Sequence, residues 1–455
     1  MNTGVKTLLG DPKRAVLKLS IPMIVSNLVF TLYNLADGVW VAGLGRDALS
    51  AVGIFFPLFF TFISLSIGIG VGTSSAISRR IGAKDKTGAE NVAMHSLFIG
   101  AIIALSLTLA ILRLKDLLET LGAKGNVLIL SLEYSKIVVW GSFFLVFNHV
   151  ATGILNGEGS TKKTMYSNIA GSLLNIILDP IFIYSLKLGI AGAAYATLLS
   201  MAFSSVVFLY WLLRKSYIKL SLKGFKVDIK IAFDILRTGI PSSLSLLLMS
   251  IVILFINLLI IRASGHEGVA VYTSAWRIIN FGSIPAFGIA SALTAIVGAS
   301  YGARDIEKLK TAYLYAIKLT FLIEIFITSA IIISASKTAL IFTYSRDSKA
   351  IYEELVSALR ILPLFLPFLP FGVMTSSLFQ GIGKGERSFV ITLLRALILE
   401  LAFAYLLGFS LKLGLHGIWT GMVLGNAVGA LLAFAWGSVT VRNMSFQPRA
   451  IKTSE

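Results

Sequence analysis

The chain has 455 residues, of which 56% are hydrophobic and only 14% charged, with a mean hydropathy of +0.85. Soluble domains carry about 25% charge, so a soluble fold, a disordered chain, a coiled coil and a small secreted scaffold are all excluded, and an integral membrane protein remains. Zero Cys removes disulfides and thiolate chemistry, the four scattered His (His95, His149, His266, His416) lack zinc spacing, and the +18 net charge sits in short loops rather than on a basic folded face.

A membrane-crossing helix needs about 20 mostly apolar residues. Runs of that kind fall at 15–41, 50–78, 93–113, 128–154, 164–186 and 189–213, and again at 231–262, 268–298, 311–334, 351–379, 388–411 and 415–440. The pattern predicts an all-α polytopic protein with twelve transmembrane helices. Several runs exceed one bilayer thickness, so tilt or extension into water is expected. Period-2 alternation is absent, which excludes a β-barrel. No cleavable signal is read before the first span, which Lys13, Arg14 and Lys18 flank.

Loop charges set the orientation. One side collects Lys13, Arg14, Lys18, Arg79, Arg80, Lys84, Lys86, Lys162, Lys163, Arg214, Lys215, Lys219, Lys223, Lys226, Lys230, Arg304, Lys308, Lys310, Lys384, Arg387 and Arg442. The other offers Arg46, Arg113, Lys115, Lys124, Lys187, Arg262, Lys337, Arg346, Lys349 and Lys412. The bias, roughly two to one, predicts both termini in the cytoplasm of a cell-membrane protein.

The two halves repeat. Ile21-Pro22 recurs as Ile240-Pro241, Ala51-Val52 as Ala270-Val271, and Gly82-Ala83-Lys84-Asp85 as Gly302-Ala303-Arg304-Asp305. Gly157-x-Gly159 recurs as Gly381-x-Gly383, and Lys187-Leu188-Gly189 as Lys412-Leu413-Gly414. Six helices is an even number, so both copies insert the same way up. The expected arrangement is an N-lobe over 1–213, a basic linker over 214–230 and a C-lobe over 231–455, related by a pseudo-twofold along the membrane normal, as in transporters.

Functional groups are sought where the repeat breaks. Asp37 in the first helix stands opposite Ile256, and Asp179 in the fifth stands opposite Ala404. A carboxylate inside the membrane marks an ion or proton path by default. Counting 1.5 Å per residue puts both acids in the outer half of the bilayer, with Asn175 one turn before Asp179, and Tyr134 and Thr197 at a similar level. Two carboxylates, an amide and a hydroxyl at one depth suit an oxygen cage for Na⁺; two nearby acids in a dry site equally suit a held proton. Pro22 removes a backbone hydrogen bond deep in the first helix, a position for a hinge that bends as Asp37 changes charge. The remaining intramembrane charges, Arg277, Lys318, Glu324, Arg395 and Glu400, read as interlobe pairs or snorkelling groups, with Glu400 singled out because it aligns with Asn175.

Together Ile21-Pro22, Tyr33-Asn34-Leu35-Ala36-Asp37, Arg80-Ile81-Gly82-Ala83-Lys84-Asp85, Gly153-Ile154-Leu155-x-Gly157-x-Gly159, Asn175-Ile176-Ile177-Leu178-Asp179-Pro180 and Gly192-Ala193-Ala194-Tyr195-Ala196-Thr197 resemble the multidrug and toxic compound extrusion (MATE) transporters. The resemblance covers essentially the whole chain and is narrowest to the prokaryotic DNA-damage-inducible branch, whose essential acids lie in the first lobe. It implies a V-shaped pair of lobes, no enzymatic activity, no cofactor, and drug export driven by H⁺ or Na⁺. By position it implies that Asp37, Asn175, Asp179 and Thr197 bind the cation, while Tyr33, Tyr134, Asn148 and Met201 line the drug cavity. His149 and Thr152 stand where relatives often carry Asn. The expected partners are small organic drug-like molecules and membrane lipid, not nucleic acid, with the chain a monomer.

Four alternatives are weaker. A major facilitator would carry G-x-x-x-D-R/K-x-G-R-R/K after its second helix, and the stretch from Gly82 to Gly88 lacks the final basic pair. A lipid-linked oligosaccharide or metabolite flippase of related fold would be expected to carry extra helices and a cationic central cavity. An intramembrane aspartyl protease would need a G-x-G-D motif, which is missing, and a channel would not need two lobes on a long basic linker.

Overall fold

The computed structural model describes residues 2–221, 225–344 and 347–444. Lys223 and Arg346, part of the 214–230 linker and the end of the second lobe lie outside the described residues. Among the described residues every regular element is helical. Ten helices are long and apolar enough to cross a membrane, and the pair Gly125–Trp140 and Ser142–Gly157, bent by 44°, makes an eleventh. The 74-residue Ile229–Gly302 is two helices joined at Ser264 and Gly265, whose φ values of −148° and 65° leave the helical region, so the spans number twelve. Ten of the twelve expected runs fall inside one of them, and 164–186 and 388–411 each overrun Thr161–Ser185 and Gly385–Ser410 by one residue. The differences lie at the ends, where polar residues continue the helices into water. In the first two spans, Pro12–Ala42 and Arg46–Gly82, the added turns carry charge that hydropathy does not count. A short helix, Thr3–Leu9, precedes them, its first turn capped by the Asn2 side chain accepting from the Val5 N–H at 2.9 Å.

The face bearing this short helix, the chain reversals at 83–85, 158–160, 303–305 and 382–384, and the connection near Arg214 is called here the basic face. Its reversals show why the repeated motifs recur. Lys84 and Arg304 both take φ of 60°, and the Asp85 and Asp305 amides reach back to the carbonyls of Arg80 and Ser300 at 2.9 Å each, which closes each helix with a left-handed turn. The same aspartates then start the next helix, accepting from the Gly88 and Lys308 N–H groups at 2.8 and 2.9 Å. On the opposite face Lys187 and Lys412 share φ of 56°, and the fifth and eleventh spans both finish in π-helical turns, Ile181–Ser185 and Leu406–Ser410.

The lobes meet as two copies of one surface. A Cβ on Gly82 would sit 2.9 Å from Ala299 Cα, and one on Gly302 would sit 3.0 Å from Arg79 Cα. Farther from the basic face, a Cβ on Gly68 would lie 2.8 Å from the Ser243 nitrogen, and one on Gly288 would lie 2.8 Å from the Ile24 nitrogen. Each contact and its reciprocal are related by the repeat offset, as a twofold interface requires. Only glycine allows backbones this close. Polar contacts reinforce this seam: Arg79 pairs with Asp234 at 2.7 Å, and the Ser75 hydroxyl donates to the Gln380 carbonyl. Toward the opposite face the seam opens, and a Cβ on Gly38 or Gly53 would meet nothing within 4 Å. The result is a V of two six-helix lobes. Phe326 and Ile333, 76% and 85% exposed on the ninth span (Ile306–Phe342), are consistent with a hydrocarbon surround.

The described part of the stretch between the lobes is strapped to the first lobe. The Tyr217 and Ile218 amides donate to Glu158, the Lys219 amide donates to Glu90, and the Asp228 amide lies 2.7 Å from His95 Nε2.

Candidate functional site

The first span carries Tyr33 and Asp37 four residues apart, hence on one face, and that face turns away from the seam into the first lobe. The fifth span, Thr161–Pro180, presents Asn175 and Asp179 with the same spacing. Pro180 withholds its N–H from the carbonyl one turn back, and the chain widens into the π-turn instead of ending. Tyr134 enters from the first half of the fourth span and Thr197 from the sixth, Gly189–Arg214. The structure brings these six side chains together.

Asp179 is wholly buried, Asn175 is 1% exposed, and Thr197 and Tyr134 are nearly so. With its amide turned to satisfy both neighbours, Asn175 donates to Asp179 Oδ2 at 2.9 Å and accepts from the Thr197 N–H at 3.2 Å. The Tyr33 hydroxyl lies near the Thr197 side chain, and both tyrosines lie near Asp37 and Asp179. Tyr134 rests edge-on against Phe55 at 5.9 Å. Asp37 differs from the rest: its Oδ1 is buried and has no hydrogen-bond partner. A largely buried cluster with two carboxylates, an amide, a hydroxyl and two phenols, one carboxylate oxygen unused, has the donor set to hold either a small cation or a proton.

Two expected cavity residues stand apart from this cluster. Asn148 lies about four turns below Tyr134 along the bent fourth span. There it donates to the Met201 carbonyl at 3.0 Å and accepts from Ser205 at 2.8 Å, bracing the fourth span against the sixth. Met201 follows Thr197 by one turn and packs on the core of the first lobe. Pro22 is buried two residues before Ile24, whose backbone touches the second lobe at Gly288. A hinge at Pro22 would therefore lie on the seam itself.

The sequence reading of the other charges is corrected in part. Arg395 and Glu400 are neither interlobe pairs nor snorkelling groups. Both are buried in the second lobe and bridged there by Asn426, which accepts from Arg395 at 3.1 Å and donates to Glu400 at 3.4 Å. Asn426 was not foreseen, because a lone Asn among small residues carries no periodic signal. Glu324 is fully buried and neither carboxylate oxygen has a partner, so it too is not a pair. Glu158 was also missed. It lies between the glycines of Gly157-x-Gly159, fully buried, and takes bonds from the Asn2, Ser160, Lys163 and Ser216 side chains.

The pattern of the MatE family matches residues 22–181 and 241–406, once in each lobe. The probable multidrug resistance protein YoeA of Bacillus subtilis strain 168 is 28% identical over 443 residues, 91% of each chain. A solved transporter of the MOP superfamily from Pyrococcus furiosus, for which reversed polarity of the binding pocket is taken to suggest a different function, is 50% identical. It superposes with a TM-score of 0.94 over 97% of this chain and 98% of its own. A multidrug resistance MATE transporter solved in an outward-facing conformation, also 50% identical and with the same coverage, superposes with a TM-score of 0.95. With both lobes matched and the twelve-span V shared along the chain, this protein belongs to the MatE family of transporters.

Proposed function

We propose that this transporter exports amphipathic, often cationic, organic compounds in exchange for H⁺ or Na⁺, by alternating access between its two lobes. The observation that carries the reading is the first-lobe cluster: two carboxylates share one buried site, and Asp37 keeps an unpartnered oxygen there. An intramembrane acid without a fixed partner is one whose charge is meant to be met by something that comes and goes. In this reading Asp37, Asn175, Asp179 and Thr197 take the cation, while Tyr33, Tyr134, Asn148 and Met201 line the drug path. Cation binding bends the first span at Pro22, which sits where that span touches the other lobe. Differential binding to the two states drives the swing.

The basic face is the cytoplasmic one by the distribution of Lys and Arg, so the V opens outward and both termini face the cytoplasm of the cell membrane. The working unit is a monomer, with lobes at 1–213 and 231–455 joined by the stretch 214–230. Ethidium export from proteoliposomes under a pH gradient, and separately under a Na⁺ gradient, tests the reading. Export should follow one gradient and disappear in Asp37→Asn. Full coupled export by both Asp37→Asn and Asp179→Asn would reject the site. No export by folded wild type would redirect the reading to a flippase for a lipid-linked or metabolite substrate.

A further inference from the structure

The eighth span carries a charge that the cation site does not use. Arg277 is exposed, lies within the apolar length of residues 266–302, and among the described residues has no ion pair or hydrogen bond. Its direction follows from helix geometry. Gly288, three turns nearer the basic face, packs on Ile24 of the first span. Eleven residues at 100° each bring Arg277 to within about 20° of the Gly288 face. Arg277 therefore stands above the seam, on the wall of the open cleft. Thr273, Asn280 and Ser291 are also exposed and flank the same stripe. Thr273 and Ser291 spend their hydroxyls on their own helix, but Asn280 and Arg277 are exposed without a side-chain partner among the described residues, which places this face on water rather than lipid.

The opposite wall is set by the same count. Eleven residues outward from Ile24 is Leu35, about 16 Å above the contact on both helices. Leu28 and Leu35 are 40% and 53% exposed on that side, so an isolated guanidinium faces an apolar surface. Its level is within about one turn of Asp37, which points the other way, into the first lobe. The repeat equivalent of Arg277 is Pro57, so the charge belongs to one wall only. A guanidinium offers a planar fork of donors that matches a carboxylate or phosphate.

We infer that Arg277 is a substrate-binding residue that captures the anionic group of amphipathic, including zwitterionic, compounds while Leu28 and Leu35 hold their apolar part. This rests on the reading of the cleft as the substrate path. Rhodamine 110, which carries a free carboxylate, and rhodamine 123, its methyl ester, differ only in that group. Fluorescence anisotropy with the purified full-length protein should show Arg277→Gln weakening rhodamine 110 about fivefold while changing rhodamine 123 less than about twofold. Arg277→Lys should recover part of the loss. Equal weakening of both dyes, no change in either, or no binding of rhodamine 110 by wild type would overturn the inference. Rhodamine 123 export from proteoliposomes is measured alongside. Its failure with selective binding intact would count against the export reading and leave the Arg277 assignment standing.

Discussion

Glu158 ties three segments of the basic face into one unit, and replacing it by Gln separates charge from shape. Its Oε1 takes Asn2 at 3.3 Å, Ser160 at 2.6 Å and Lys163 at 3.4 Å; its Oε2 takes Ser216 at 2.7 Å and the Tyr217 and Ile218 amides at 2.8 and 3.3 Å. An amide has one acceptor where the carboxylate has two. Lys163 keeps the Lys215 carbonyl and the Ser160 hydroxyl as other acceptors, whereas the Tyr217 N–H has no substitute. The Gln carbonyl is therefore expected to turn toward Tyr217, and the loss is that of the charge-assisted contact to Lys163 and the bond from Asn2, about 2 kcal/mol. Glu158→Ala loses the same contacts and also orphans the Ser216 hydroxyl and the Tyr217 N–H, about 4 kcal/mol in all. The assay is tryptic cleavage after Lys215 and Lys219, both exposed on the strapped stretch but held by these bonds. Local release at about 2 kcal/mol should speed cleavage of the Gln variant about thirtyfold, and the Ala variant should be cut faster still. Cleavage at the wild-type rate in both, or equal acceleration by Gln and Ala, would refute the account of which donor matters.

Asp234→Asn weakens the Arg79 latch, a pair at 2.7 Å with side chains 12% and 35% exposed, by about 1 kcal/mol. Pulsed electron-spin distances between labels on the two lobes at the basic face should show the state open there enriched about fivefold, and an unchanged distribution would count against the latch. Arg395→Met leaves Glu400 buried without its cation and should lower thermal stability by about 3 kcal/mol, while Arg395→Met with Glu400→Met should recover most of the loss. A double variant no better than the single would show that the residues do not act as a pair. Lys187→Gly relieves a left-handed non-glycine residue at φ 56°, with a net gain of about 0.5 kcal/mol after the added freedom of the unfolded chain, seen as a small rise in melting temperature.

Much of the fold is legible in the sequence because the membrane simplifies it. A span must be long and apolar, so composition alone locates the twelve, including the two joined without a loop at Ser264 and Gly265. The duplication is legible because chain reversals are local: a left-handed residue and a capping Asp occupy consecutive positions, as in Lys84-Asp85 and Arg304-Asp305, and both copies keep them. The candidate cluster is legible in outline for the same reason, since Asn175 and Asp179 lie one turn apart on one helix and Tyr33 and Asp37 on another. What hydropathy and repeats do not show is pairing across distance. Glu158 meets Tyr217 across 59 positions of sequence, and Arg395 meets Asn426 across 31. No local pattern marks the second partner in either case. Asn148 is another case: its type marks a polar position, but no local pattern shows that its amide bridges Met201 and Ser205 on the sixth span.

The two lobes share one backbone but treat charge differently, and the difference bears on which lobe drives the swing. In the second lobe Arg395 and Glu400 are joined through Asn426, so that cluster carries its own counter-charge. Glu324 on the ninth span stands apart from it as a single buried carboxylate, without a partner among the described residues. In the first lobe Asp37 and Asp179 face an amide, a hydroxyl and two phenols, none of which brings a positive charge. That cluster is compensated only when a cation or proton arrives. Arg277 adds a cation on the second-lobe wall of the cleft, where the first lobe has Pro57. Duplication kept the turns and the glycine seam that let two lobes rock, while the charges diverged. If that divergence is the basis of coupling, mutations in the first-lobe cluster should abolish gradient dependence. Neutral replacement of the Arg395–Glu400 pair should change stability and leave gradient dependence intact.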